Sequence, residues 1–473
     1  MGATGRLTGG SDATQRRKGC HAVQLRHGLG RRQSLDMTPT DNSHLPQVRA
    51  QYEQLPYPAR NPADESKRLI RTWLDSLPMI NHYGFAGRQA FNDGFRVLIA
   101  GGGTGDGTIF LAEQLRATNA QIVHLDFSEA SIAIAQQRAH HRGLGNIQWL
   151  HRSLLDLPTL ELAPFHYINC SGVLHHLADP DAGLKALLSV LADDGVMGLM
   201  LYAQVGRTGV YQLQQTLRLL HRDQAIDVGA EIAHAKDLLA HLPRGNWFNR
   251  AQELHQDHKM GDAGIYDLLL HSTDRAYSVG QLYEWLGDQH GLQLQFSDVG
   301  RGAAPYDCAM VLGPRKPALL GDLAKKSHRD QQAIAELLGG TLITHSFFAS
   351  RKSDGCARYD DSMMVPLFVH EPVTGPELSQ MIHRNSNKPL IMNHAHSGFS
   401  FELEPGQFSK FILKYIDGQR SFGEIFELVR GEDKFRKTPP DDQTLFADFE
   451  PIFRQLSLIE RVLLRHRDVK LPA

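Results

Sequence analysis

The stretch that most constrains this chain runs from Phe95 to Ser128. Arg96-Val97-Leu98-Ile99-Ala100 is a short apolar run that stops at Gly101-Gly102-Gly103-Thr104-Gly105-Asp106-Gly107. A helical pattern then reaches Leu115, and a second apolar run from Gln121 ends on Asp126. Strand, glycine-rich turn, helix and strand make a parallel βαβ unit, which leaves a ligand crevice at the carboxyl ends of its strands. A carboxylate there accepts hydrogen bonds from both hydroxyls of a ribose, so the stretch reads as a site for a nucleotide-like cofactor. The dinucleotide form GxGxxG, counted from Gly101 and Gly103, needs glycine where Asp106 stands; GxGxG, as Gly101-x-Gly103-x-Gly105, fits instead.

The unit repeats downstream. Ser131 to Arg142 reads as a helix ended by Gly143 and Gly145, Asn146 to Leu150 as a third strand, and Phe165 to Cys170 as a fourth. Asp179-Pro180 opens a helix reaching Leu191, and Asp193-Asp194-Gly195 turns into a fifth strand, Val196 to Tyr202. Short apolar strands alternating with helices predict an α/β fold, a doubly wound, mostly parallel Rossmann-like sheet. At 473 residues two or three domains are expected. Lys+Arg 50 against Asp+Glu 52 leaves a net charge of −2, which calls for no nucleic acid. The longest apolar runs, such as Val196 to Ala203, fall short of the ~20 residues that cross a bilayer, so no membrane partner is expected.

Cys20, Cys170, Cys308 and Cys356 lack CxxC spacing, which fits a reducing cytoplasm and gives no cysteine metal site. The pairs His140-His141, His175-His176 and His394-x-His396 lack the HExxH form, and no metal is expected. Residues 1–46 are expected to be a disordered extension, with seven Lys or Arg by residue 32 and no apolar period. A translated upstream stretch with the true start at Met37 is preferred over a basic tail or a transit peptide, because no amphipathic Arg-rich helix appears.

Further motifs add to the glycine loop. With Asp126 at the end of strand two come Gly172-Val173-Leu174-His175-His176-Leu177 and Leu191-x-x-x-Gly195. Together these resemble the class I S-adenosylmethionine-dependent methyltransferases from about Phe95 to Tyr202. A narrower resemblance over roughly residues 48–312, carried by Tyr52-x-x-x-Pro56-Tyr57-Pro58, Gly198-Leu199-Met200-Leu201-Tyr202 and Asp267-x-x-x-His271-x-x-Asp274-Arg275-x-Tyr277, is to a bacterial subgroup often joined to accessory domains. The resemblance implies a seven-stranded sheet and S-adenosyl-L-methionine as cofactor. It implies cofactor contacts from Gly101, Gly102, Gly103, Thr104 and Gly105, from Asp126, Phe127 and Ser128, and from Ser153, Leu154, Ser171 and Gly172. Two positions depart from the common pattern: Ile99 and Ser153 stand where acidic residues are usual, each a polar contact of about 1 kcal/mol net.

Methyl transfer from a sulfonium is an in-line displacement, so the protein mainly aligns the reactants and excludes water. His175, His176 and Tyr202, at the carboxyl ends of strands four and five, are the candidate catalytic residues. Tyr52 and Tyr57 are read either as pins for an N-terminal arm or as a lid; His271, Asp274 and Arg275 are read either as a fixed salt-bridge and cap network or as holding an acidic substrate group; and Tyr52, Tyr57, His271 and Arg275 are the candidate substrate residues. Residues 204–290 read as helical, with Tyr211, Leu213, Leu217, Leu219 and Leu220 on one amphipathic face. By family resemblance such an insertion forms a cap over the acceptor. Leu292 to Phe296 and Cys308 to Leu312 are expected as the last two strands.

Composition ends the domain near Gly313-Pro314-Arg315-Lys316-Pro317, giving 47–315 as the expected methyltransferase domain. Residues 316–473 follow as an α+β accessory domain whose Asp417 to Phe426 segment resembles a winged-helix turn, suited to a protein contact or dimerisation. The expected function is methylation of a small molecule or a protein side chain. The alternatives are a catalytically degenerate binding protein and, more distantly, an NAD-dependent oxidoreductase.

Overall fold

The structure is a computed structural model that describes residues 52–223, 225–314, 317–369, 373–393 and 399–472. The expectations for the N-terminal extension, for a helix beginning near Val48, for Arg315-Lys316 and for His394-x-His396 lie outside the described residues.

Eight strands form one mixed sheet: β1 (Arg96–Ala100), β2 (Gln121–Asp126), β3 (Ile147–His151), β4 (Phe165–Ser171), β5 (Leu191–Ala203), β6 (Ala276–Tyr277), β7 (Gln293–Phe296) and β8 (Thr344–Ser350). Their order is β3-β2-β1-β4-β5-β8-β7, with β6 paired to the end of β5. The β1/β2, β1/β4, β2/β3, β4/β5 and β5/β6 pairs are parallel, while β8 runs antiparallel to both β5 and β7. β1 is apolar from Val97 to Ala100 because both its faces are covered. Leu98 and Ala100 enter one core cluster, and Val97 and Ile99, pointing the opposite way, enter another.

The helices between strands start and stop where side chains permit. Ser128 caps Glu129–Arg142 by accepting from the Ser131 N–H at 3.1 Å, and Gly143, at φ +62°, ends it. The insertion after β5 is helical, as Thr208–His221 and Val228–His241, with Val210, Leu213, Leu217, Ile232 and Ala235 in a cluster of their own. Leu219 and Leu220 lie half exposed, so the buried face is narrower than the sequence suggests.

Three expectations change. Asp193-Asp194-Gly195 lies within β5 instead of turning ahead of it; β5 begins at Leu191, paired with Phe165. Cys308–Leu312 is a helix, because Asp307 accepts from the Met310 N–H at 2.9 Å and caps it. The antiparallel strand comes from Thr344–Ser350, so the sheet draws on residues beyond the composition break near 313–317 and has eight strands, not seven.

The remaining C-terminal residues build the helices Gly375–Arg384, Ser409–Tyr415, Phe422–Arg430 and Asp442–Leu458. Two antiparallel pairs accompany them: β9 (Met364–Phe368) with β12 (Val462–His466), and β10 (Leu390–Asn393) with β11 (Ser400–Leu403). Ser421 and Glu424 make a reciprocal capping box at the start of Phe422–Arg430. β12 also packs on the helix Leu77–Gly84: Leu463 joins its apolar cluster and the Leu464 N–H donates to His82 Nδ1 at 3.0 Å.

Candidate functional site

A cavity of about 1060 Å³ opens at the carboxyl ends of the parallel strands, where the βαβ rule places a ligand. Gly101, Gly102 and Gly103 form one wall. A Cβ at Gly102 would sit 2.3 Å from His124 Cε1, and one at Gly103, where φ is +51°, 2.9 Å from the Tyr57 carbonyl oxygen. Glycine is therefore required where the loop passes between β2 and the N-terminal arm.

Asp126 closes the loop. Its Oδ2 accepts from the Gly103 N–H at 2.7 Å and its Oδ1 from the Ser128 N–H at 2.8 Å. Burial pushes its pKa up, against the pull of those backbone donors. Each oxygen keeps a second lone pair, and the carboxylate lines the cavity beside Phe127. Farther along, toward β3, Ser153 and Leu154 line the same wall. The Ser153 N–H donates to Asp156 at 3.1 Å, so that turn, lacking an acid at 153, brings in a carboxylate three residues later.

The arm over the loop is tied down at several points. The Ser128 hydroxyl donates to the Tyr52 carbonyl at 3.3 Å, and Glu53 accepts from the Glu129 and Ala130 N–H groups at 2.7 and 3.1 Å. The Thr104 hydroxyl donates to the Pro58 carbonyl at 2.7 Å. Arg60 pairs with Asp106, which also pairs with the buried Arg138. Burial acts to raise the pKa of Asp106, and the two guanidiniums outweigh it and hold it below the usual carboxylate range. Asp106, the residue that breaks the dinucleotide pattern, thus anchors the arm to the helix Asp106–Gln114.

On the cap side, Tyr52 and Tyr202 both donate to the buried Asp267, each at 3.2 Å, and Tyr57 donates to Asp257 at 3.1 Å. Burial pushes the Asp267 pKa up. His176 faces the cavity. Its Nδ1 donates to the Thr273 carbonyl at 2.8 Å, which leaves Nε2 with its lone pair. Burial drives its pKa down to about 4, so the ring is neutral at pH 7. Arg207 lies over the Tyr202 ring at 3.6 Å and pairs with Asp274, an ion pair buried at both ends.

Several expected site residues lie behind the cavity wall. His175 is fully buried between His176 and Tyr202, with no hydrogen-bond partner for either ring nitrogen among the described residues, and burial keeps it neutral. Thr104 and Gly105 serve the arm and the helix start, and Ser128 serves its helix cap. His271 stacks on His176 at 3.8 Å from behind, and Arg275 is exposed. Asp274, not Arg275, holds the buried cap network, accepting from Arg207, Tyr211 and Gln214. Residues that no motif singled out line the cavity instead, among them Trp73, Asp75, Asp257, Val299 and Ile343.

His176, Asp267 and His271 each bring one ligand-capable atom within 4.8 Å of the others. The chemistry opposes a metal at this cluster. His271 Nδ1 accepts from the Thr273 N–H at 3.1 Å, so its proton sits on Nε2 and no nitrogen is left to ligate.

The family model described as "Methyltransferase domain" matches residues 98–197, from β1 into β5. The glycine loop, the Asp126 carboxylate and this match make the fold that of a class I S-adenosylmethionine-dependent methyltransferase domain. An uncharacterized protein of Synechococcus sp. is 32% identical over 276 residues, 58% of this chain and 65% of that protein. The tRNA 5-carboxymethoxyuridine methyltransferase of Escherichia coli is 37% identical over 108 residues, 23% of this chain and 40% of the enzyme. The chain thus spans less than two thirds of these relatives. PKMT2 of Rickettsia typhi shares the fold, at a TM-score of 0.55 over 83% of this chain and 75% of that one, with 15% identity; it also has a solved structure in complex with AdoHcy. No helix among the described residues is long and apolar enough to cross a membrane.

Proposed function

We propose that the protein transfers a methyl group from S-adenosylmethionine to a small-molecule or protein acceptor that enters beneath the helical cap. The observation that carries this reading is one continuous cavity joining the glycine loop and Asp126 to the Tyr52, His176 and Tyr202 side chains. Bound there, the cofactor supplies a methyl already activated by the sulfonium charge.

The chain's own groups then have limited tasks. Asp126 and the Gly101–Gly103 backbone hold and orient the nucleoside. Tyr52 and Tyr202, fixed by Asp267, shape the acceptor end. The arm at 52–60 keeps water from the crevice. His176, with a lone pair on Nε2, can accept a hydrogen bond or a proton from the incoming group. Asp257, Asp267 and the Arg207 guanidinium all line this end, so it offers an acceptor groups of both signs.

Two measurements test the reading. Calorimetry should show binding of S-adenosylhomocysteine and none of NAD; tight binding of NAD alone overturns it. Labelled methyl from S-adenosylmethionine should enter a component of cell extract with the wild type and not with Gly103→Asp, and separating small molecules, protein and nucleic acid identifies the acceptor class. Label recovered in nucleic acid would replace the acceptor proposed here.

A further inference from the structure

One further carboxylate in the cavity, Asp75, has no motif around it. Asp75 is 1% exposed, lies between the helix Leu77–Gly84 and the loop preceding it, and lines the cavity. Two strand residues put it there. Tyr167 and Asn169, two apart on β4, point to the same face of the sheet. The Tyr167 hydroxyl donates to the Leu74 carbonyl at 2.8 Å, and Asn169 Nδ2 donates to Asp75 Oδ1 at 2.7 Å. Gly198 on β5 leaves the space for that phenol: a Cβ there would sit 2.1 Å from it. From the other side, Gln114 donates to the Asp75 carbonyl at 2.8 Å.

The position of the carboxyl follows from the ladder. Asn169 is the register partner of Ile99 on β1, so the two side chains lie side by side on one face. Asp75, bonded to Asn169, therefore sits over the ends of β1 and β4 next to the glycine loop. It approaches the first turn of the helix Asp106–Gln114 so closely that a Cβ on Gly107 would be 2.6 Å from Oδ2.

Among the described residues this carboxylate has no counter-charge. Its close donors there are neutral, the Asn169 amide and the Thr72 hydroxyl at 2.6 Å. Burial pushes its pKa up to about 6; those two donors oppose the rise and the Asp106 charge adds to it. A buried carboxylate facing a ligand cavity without a cation is matched by a ligand that brings one.

The sheet order says which part of a ligand arrives there. The family resemblance implies the ribose at Asp126 on β2 and the base toward Ser153 beyond β3; in that orientation the rest of an S-adenosyl ligand extends the other way along the strand order, over β1 to β4. Resting on the cofactor reading above, we propose that Asp75 receives the α-ammonium of the cofactor's amino-acid end, with Asn169 and Thr72 holding the carboxylate in place.

The test separates charge from scaffold. Asp75→Asn keeps the shape and the acceptor oxygen for Asn169, removes the charge, and turns an amide N–H toward the Thr72 hydroxyl, which can rotate to accept it. Calorimetry is run with S-adenosylhomocysteine and with 5′-methylthioadenosine, the same nucleoside thioether without the amino acid. The expected result is a loss of about tenfold or more for S-adenosylhomocysteine, the worth of a charge-assisted hydrogen bond, with less than about twofold change for methylthioadenosine. Equal losses for both ligands, or no loss for either, overturn the assignment. A variant that fails to fold leaves a second measurement on the wild type: the deamino analogue of S-adenosylhomocysteine should bind about tenfold more weakly than the parent, and equal affinity overturns the proposal. Wild-type protein that binds neither S-adenosylhomocysteine nor methylthioadenosine overturns the cofactor reading itself, and this assignment with it.

Discussion

At the scale of single residues, Asp126 carries two loads. It holds the glycine loop and the next helix start through two backbone N–H groups, and it offers its remaining lone pairs to the cavity. Asp126→Asn turns one of those acceptors into a donor facing an N–H, at a cost of about 1–3 kcal/mol for the stranded group. The expected outcome is a lower melting temperature together with a loss of S-adenosylhomocysteine affinity of about tenfold or more. A melting shift with unchanged affinity would leave Asp126 a loop anchor and remove the ribose from it. The paired histidines show why identity alone does not assign such roles. His175 and His176 are adjacent in sequence, yet the short helical turn Leu174–His176 directs one into the packing under Tyr202 and the other toward the cavity.

At the scale of elements, the N-terminal arm is held mainly at helix ends. Glu53 accepts from the first N–H groups of Glu129–Arg142, where the helix dipole favours negative charge. Glu53→Ala should cost the arm about 1 kcal/mol, roughly a fivefold gain in its open population. Faster hydrogen exchange at residues 52–60 and faster release of S-adenosylhomocysteine are the expected readouts; unchanged exchange would mean that Arg60 and Thr104 suffice to hold the arm. Elements defined by local pattern were legible before the structure. β1 and β2 follow from apolar runs and the end of the next helix from its closing glycine, while its start at Glu129, ahead of the expected Ser131, is set by the Ser128 cap. What the sequence left hidden is non-local. The run from Thr341 to Ala349 reads as a strand in the sequence, but the place of the observed strand Thr344–Ser350 between β5 and β7 depends on pairing with β5 across about 150 residues of chain. Asp75 belongs to no motif, because its place is set by Tyr167 and Asn169, more than 90 residues away. Cys308–Leu312 misleads because five apolar residues are too few to separate strand from helix, and the decisive signal is the capping Asp307.

At the scale of the whole molecule, the C-terminal part is bound to the wall of the cavity. Its strand β12 packs on the helix Leu77–Gly84, and Glu460, just before that strand, is fully buried where the two meet. The Tyr83 hydroxyl donates to Glu460 at 2.8 Å. Burial pushes the Glu460 pKa up to about 8, with Ser297, Tyr83 and Trp73 acting against the rise and Asp298 adding to it. Trp73 lines the cavity and donates to Ser297 at 2.8 Å, so the seam and the site share a wall. The raised pKa fixes the sign of a pH effect. The unfolded chain loses this proton near pH 4.5 and the folded protein only near pH 8, so the folded state holds more protons in that window and stability falls as pH rises through it. Glutamine at this position keeps an acceptor for Tyr83 and does not titrate. The stability difference of Glu460→Gln over the wild type should therefore grow in favour of the variant from about pH 5 to pH 8, by an amount on the order of a few kcal/mol, and stay level above that. Urea midpoints of both proteins at pH 5 and 8.5 measure it. A difference independent of pH would mean that Glu460 is already ionised in the folded protein at pH 5, and the seam would then owe nothing to a neutral carboxyl.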